Sequence, residues 1–201
     1  ACTQCPVINP RLQTTLEGLN DAIRQDPLSG ITSLEIYAPA DEVLLLAHTK
    51  TTRTAQEIHV LEELSARMKL SGCHLVHDPT RLMQRIMGQT CFTYRIDTPD
   101  KPFLLSGQLG GFIQANQEVN GLMVRHVMEL ARDAGRVLDL YGGCGNFGLP
   151  LAHAAQEVVV VEKDRRLTAL GSRNAERNRL SNVRFFAGDA MQALQSLRRE
   201  G

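Results

Sequence analysis

No apolar run among these 201 residues approaches the roughly 18 to 20 that a bilayer-crossing helix needs, and the N-terminus has no basic-then-apolar secretion pattern. A cytoplasmic protein with no membrane partner is therefore expected. A surplus of charge is also missing: Lys and Arg number 22, and so do Asp and Glu. No overall positive field would hold a polyanion by charge alone, so nucleic-acid binding has to be argued from a site. A disulfide framework is lacking as well. The five cysteines, Cys2, Cys5, Cys73, Cys91 and Cys144, are odd in number and irregular in spacing, which suits a reducing compartment. Internal repeats and low-complexity segments are absent.

What remains, 43% apolar and 22% charged residues, is enough to bury the core of one large or two small domains. From Asn9 to Gln25, Leu12, Leu16, Leu19 and Ile23 keep helical spacing, with Asn9 placed as N-cap and Pro10 in the first turn. Alternating residues on both sides of a Pro-Ala-Asp turn predict a hairpin from Ile31 to His48. A helix from about Thr54 to Leu70 presents Ile58, Leu61, Leu64 and Met68. The segments CHLVH, CFTYRI and PFLLS read as further short strands. Residues 1 to about 110 thus form a small α+β unit.

After the glycine-rich joint GQLGG the pattern changes. Asn116 can cap a long helix that carries Val119, Met123, Val127 and Leu130 on its apolar face and ends at Gly135. Three βα units follow, opening on RVLDLY, EVVVVE and NVRFFA. Val-rich runs separated by helices indicate a parallel sheet covered on both faces, hence an α/β fold.

The stretch RVLDLYGGCGNFGLPLAHAAQEVVVVEKD carries the chemistry. A strand that runs into a glycine-rich turn and a helix offers backbone N–H groups without a Cβ in the way. Gly143, Gly145 and Gly148 spell G-x-G-x-x-G, and Glu162 follows at about the dinucleotide spacing. Asp139, however, ends the strand just before the glycines, where it would repel a pyrophosphate and attract a sulfonium and an amino group. The capped helix before the strand also departs from a dinucleotide unit. S-adenosylmethionine is the better-fitting ligand. Glu162 would then accept from both ribose hydroxyls and Asp189 would meet the adenine. The plainer roles for these acids are a solvated loop acid and a helix N-cap.

GGFIQANQEVN, RVLDLYGGCGNFGLPLA, VVVVEKD and NVRFFAGDA resemble, in order and interval, the cofactor motifs of the bacterial RNA uracil-C5 methyltransferases. Upstream, CPVINPRLQTTLEGL resembles the stretch in which iron–sulfur members carry their last cluster cysteine, here Cys5. The resemblance implies a small α+β central domain over residues 1–110, then the first half of a class I, Rossmann-like methyltransferase domain over 111–201. It implies S-adenosylmethionine contacts from Gln114, Tyr141, Asn146, Glu162 and Asp189, beside Asp139, Gly143 and Gly145. Gln114 and Asn146 would meet the methionine end and Tyr141 would form a wall near the sulfonium. Phe112 would stack on the flipped target base, against the alternative of core packing. Gly142 departs from the family pattern, which usually has Cys there.

That family adds a cysteine thiolate to C6 of the uracil so that C5 can take the methyl group, and a base then removes the C5 proton. The motifs that carry this cysteine and base do not occur here. Cys144 lies in the cofactor loop, and Cys73 and Cys91 read as buried packing residues. The expectation is a fragment of an enzyme acting on RNA, ribosomal before transfer, with the catalytic pair beyond Gly201. The resemblance implies that the three partner cysteines of Cys5 in a 4Fe-4S cluster would lie before residue 1; Cys2 and Cys5 alone supply two thiolates, which do not close such a site. Such a fragment would leave one edge of RVLDLY unpaired and open to self-association. A nucleotide (NAD)-dependent oxidoreductase and a non-catalytic RNA-binding module are the alternative readings.

Overall fold

The computed structural model describes residues 10–25, 30–51 and 55–199, in two compact units that divide after Thr90. The first holds α1 (Pro10–Gln25), β1 (Ile31–Tyr37), β2 (Leu44–Thr49), α2 (Ala55–Arg67), β3 (Gly72–His77) and β4 (Leu82–Gly88). Its sheet runs β1-β2-β3-β4, antiparallel except for the β2–β3 pair. Leu45 pairs with Cys73 and Ala47 with Leu75. These residues project to one face by the two-residue period of a strand, and there they meet Leu19 of α1 and Leu61 and Leu64 of α2. The expected hairpin and both helices are present, while the assigned caps Asn9 and Thr54 lie outside the described residues. The strand β4 was not expected. A register shift between Cys73 and His74 gives it an irregular burial pattern and hides its alternation.

The second unit opens on a hairpin, β5 (Cys91–Asp97) and β6 (Pro102–Gln108), followed by α3 (Gln117–Leu130). Then come β7 (Arg136–Leu140), α4 (Gly148–Leu151), β8 (Glu157–Glu162), α5 (Arg165–Arg177), β9 (Val183–Ala187) and α6 (Ala190–Arg199). The three βα units form a parallel sheet of order β7-β8-β9. The sequence reading joined β5 and β6 to the N-terminal part. They group with the second unit because Asn174 and Asn178, on or just past α5, hydrogen-bond the backbone of Ser106 and Leu104.

Asn116 caps α3 as expected, its side chain accepting from Val119 N–H at 3.0 Å. The helix stops at Leu130, short of Gly135, and its buried residues are Asn120, Gly121, Val124 and Met128. Val119 and Leu130, assigned to the apolar face, are exposed. The face is rotated toward Asn120, whose amide pairs with Asn146, as described below. Continuous burial of Val158 to Val161 in β8 marks the centre of the sheet. β7 pairs with β8 alone among the described residues, and Leu138 is 36% exposed.

Candidate functional site

The carboxyl ends of β7, β8 and β9 lie side by side, where ligands of open α/β sheets bind. Leu140 pairs with Val161, and Val161 with Phe186. This register brings Tyr141, Glu162 and the Gly188–Asp189 step to one edge. Gly142 N–H donates to Val161 O at 3.1 Å and Gly188 N–H to Glu162 O at 3.0 Å, fastening both turns to β8. Tyr141, Gly143 and Gly145 have φ of +59°, +58° and +97°. For Tyr141, 78% exposed, the left-handed backbone costs roughly 1 to 2 kcal/mol. A Cβ on Gly143 would meet nothing within 4 Å, so the space beside it is open. A Cβ on Gly145 would come within 2.7 Å of Leu149 and 3.1 Å of Phe185. Gly143 therefore faces space a ligand can fill, whereas Gly145 is needed for packing. The helix after the turn, α4, is a single turn, so the cradle is the loop itself.

Three carboxylates surround this turn in different states. Glu162 accepts from Gly143 N–H at 3.1 Å with one oxygen and from Asp164 N–H at 2.8 Å with the other. It keeps lone pairs for two more donors. Asp189 is exposed and accepts from Met191 N–H at 2.9 Å, the N-cap role, which leaves its other oxygen available. Asp139 lies beneath the turn, because strand alternation puts it on the side from which Gly142 and Gly148 close. Cβ atoms there would stand 2.6 and 3.0 Å from its Oδ2. That oxygen is buried with no hydrogen-bond partner. Burial pushes the carboxyl pKa up to about 6, opposed in part by the Gly148 amide. A Cβ on Gly142 would also run into Val160, so the turn sits too low for the cysteine that the family pattern favours.

The turn is also tied down by amides that the sequence did not single out. Asn146, expected at the methionine end, exchanges hydrogen bonds with the buried Asn120 of α3 at 2.9 and 2.8 Å, which leaves it one N–H and one oxygen lone pair for a ligand. Asn174 of α5 donates to Cys144 O at 3.2 Å, and the Cys144 thiol lies 3.7 Å from the Tyr94 hydroxyl on β5. A weak signal for these residues existed. Asparagine favours caps and turns over helix interiors, so Asn120 and Asn174 within helices ask for a partner.

Phe112 is 81% exposed, against the core-packing alternative, and Gln114 is half-buried with its main-chain carbonyl accepting from the Gln117 side chain at 3.0 Å. Cys73 and Cys144 are buried, and burial pushes both thiols up, away from thiolate. Cys91 is exposed, a correction to its reading as a packing residue: it opens β5 on the outward side of the alternation. Cys5 lies outside the described residues. Among the described residues no group of three His, Cys, Asp or Glu could hold a metal, and no helix is long and apolar enough to cross a membrane.

The family described as tRNA (Uracil-5-)-methyltransferase matches residues 8–200. A 23S rRNA (uracil(1939)-C(5))-methyltransferase RlmD of Pseudomonas fluorescens (strain Pf0-1) is 31% identical over 198 residues, covering 96% of this chain and 41% of that protein. The protein of the same name from Alkalilimnicola ehrlichii is 33% identical over 191 residues, covering 92% and 42%. This chain therefore spans about two fifths of these relatives' length. Among solved structures, the Pyrococcus abyssi tRNA (uracil-54, C5)-methyltransferase in complex with S-adenosyl-L-homocysteine superposes with a TM-score of 0.67 at 19% identity. The match covers 92% of this chain and 48% of that one. At that identity the likeness establishes the fold, which agrees with the α/β, Rossmann-like expectation.

Proposed function

The chain belongs to the tRNA (Uracil-5-)-methyltransferase family, and from that premise we propose that its second unit holds S-adenosylmethionine in an enzyme that methylates C5 of an RNA uracil. The single observation that carries this reading is Glu162, fixed by the Gly143 amide beside open space at the end of β8. A carboxylate so placed suits the two hydroxyls of a ribose. Asp139 beneath the turn favours a ligand that brings positive charge, against the pyrophosphate of NAD. In this reading Gln114 and Asn146 meet the methionine end, and Tyr141 and Asp189 flank the sulfonium and the adenine. Gly143 gives access, Gly145 packs the turn, and Phe112 stacks on the target base. S-adenosylmethionine supplies the electrophilic methyl group when bound.

The names of the relatives support 23S rRNA as the RNA, and we place the action in the cytoplasm, as expected of an enzyme that modifies such an RNA. We assign the nucleophilic cysteine and its base to the part of the relatives' length that this chain does not span, since the family's motifs for both are absent from this sequence. Cys73 and Cys144 are in addition buried and held as thiols, and Cys91, though exposed, lies on the β5–β6 hairpin and not in the turn. Cys5 is assigned to a 4Fe-4S cluster only in such a longer protein, because the described residues supply no further ligand set. Calorimetry with S-adenosylhomocysteine and with NAD(H) tests the reading. Binding of the first and not the second is expected; the reverse would overturn it in favour of an oxidoreductase.

A further inference from the structure

Asn174 and Asn178, one helical turn apart, lay their amides against β6 in the same way. Asn174 Oδ1 accepts from Ser106 N–H at 2.8 Å, and its Nδ2 donates to Ser106 O at 3.1 Å. Asn178 does the same with Leu104, at 3.1 and 2.8 Å. Each Nδ2 has a second hydrogen, and here the two differ. That of Asn178 goes to Asn174 O at 2.8 Å, within its own segment. That of Asn174 goes to Cys144 O, inside the glycine turn, at 3.2 Å. Asn174 is 1% exposed. Both of its N–H groups and its oxygen are engaged, which leaves the planar amide little freedom to move.

One rigid group thus joins the turn to the hairpin, and β6 runs on through the buried Leu109 to the segment carrying Phe112 and Gln114. The turn needs such a tether: Tyr141, Gly143 and Gly145 are all left-handed, and a glycine-rich turn left loose must be ordered at the expense of ligand affinity. We propose that Asn174 is a positioning residue that sets the glycine turn for S-adenosylmethionine and couples occupancy of the turn to the β5–β6 hairpin. The inference rests on the turn being the cofactor site.

The matched geometry supplies the control. Asn174→Asp and Asn178→Asp each keep the acceptor for a β6 amide and lose the donors. Only the first loses a bond to the turn. In this chain, Asn174→Asp should weaken S-adenosylhomocysteine binding by about tenfold, the upper range for a net hydrogen bond. Asn178→Asp should change it by less than about twofold, although both lower the melting temperature. A measurement on the unmodified chain covers the case in which Asn174→Asp does not fold. Coupling is reciprocal, so S-adenosylhomocysteine should slow hydrogen exchange at the Ser106 amide more than at the Leu104 amide. Equal affinity losses in the two variants, unchanged affinity in Asn174→Asp, or equal protection of the two amides would each overturn the role of Asn174. Failure of the unmodified chain to bind S-adenosylhomocysteine would instead overturn the cofactor reading, and this inference with it.

Discussion

In the first unit the core is filled by Leu19, Leu45, Leu61, Leu64 and Leu75, whereas around the glycine turn of the second unit the buried groups include two amides and a carboxylate. The two materials do different things. Apolar burial has no direction and scales with area removed from water, so it stabilises a sheet against helices without fixing one backbone atom. A buried amide costs free energy unless its partners stand at set distances and angles, so it fixes a backbone carbonyl such as that of Cys144 to within a few tenths of an ångström. The first unit is built for stability, the turn for geometry.

The largest effect is expected from the leucine core. Leu61→Ala should lower stability by about 2 to 5 kcal/mol through lost burial and a residual cavity, measured by denaturant unfolding. S-adenosylhomocysteine affinity of the folded protein should stay within about twofold. A tenfold loss of affinity would break the contrast between the units.

Glu162→Ala should weaken cofactor binding by about 1.5 to 3 kcal/mol, the range for hydrogen bonds to a charged group, as read by calorimetry. It should also loosen the turn, because the Gly143 and Asp164 amides lose their acceptor. An unchanged dissociation constant would remove Glu162 from the site.

Asp139 offers a test by pH. Its folded pKa of about 6 lies above the ordinary 3.8, so between about pH 4 and 6 the native state binds more protons than the unfolded state. Stability therefore falls as pH rises through that window and stays lower above it. Asp139→Asn should flatten that slope and stabilise the ligand-free protein at pH 7 by on the order of 1 to 2 kcal/mol, allowing for solvent near a half-buried residue. Identical pH–stability curves for the two proteins would show the carboxyl to be solvated.

The smallest effect belongs to β7, whose outer edge has no strand partner among the described residues. We expect weak self-association along Arg136–Leu140, detected by sedimentation at rising concentration, with hydrogen exchange slowing there in step. A monomer with rapid exchange at every concentration would leave the edge simply hydrated.

Much of this architecture was legible because it follows from period and punctuation. The heptad-like leucines of α1 and α2, the alternation in β5, the Val run of β8 and the capping Asn116 each encode their element locally. The strand β4 escaped because its bulge breaks the period of two. In the site, Glu162 and the glycines could be read from spacing along one strand–turn–helix unit. The partners of Asn146 and Cys144 could not: Asn120 is 26 residues from Asn146, and Asn174 is 30 from Cys144. Each pairing joins separate elements, so nothing in the local sequence near the turn announces it.

The asparagines that saturate the outer side of β6 are made late. Ser106 and Leu104 wait for side chains 68 and 74 residues further along the chain. At the roughly 5 to 20 residues per second of synthesis, that is an interval of about 3 to 15 seconds. A two-stranded hairpin is marginal by itself in water. During each round of translation, β5 and β6 therefore emerge with an open edge and an apolar face, Phe92, Tyr94, Ile96, Phe103 and Leu105, that no helix yet covers. The hairpin becomes a finished part of the molecule only when α5 arrives.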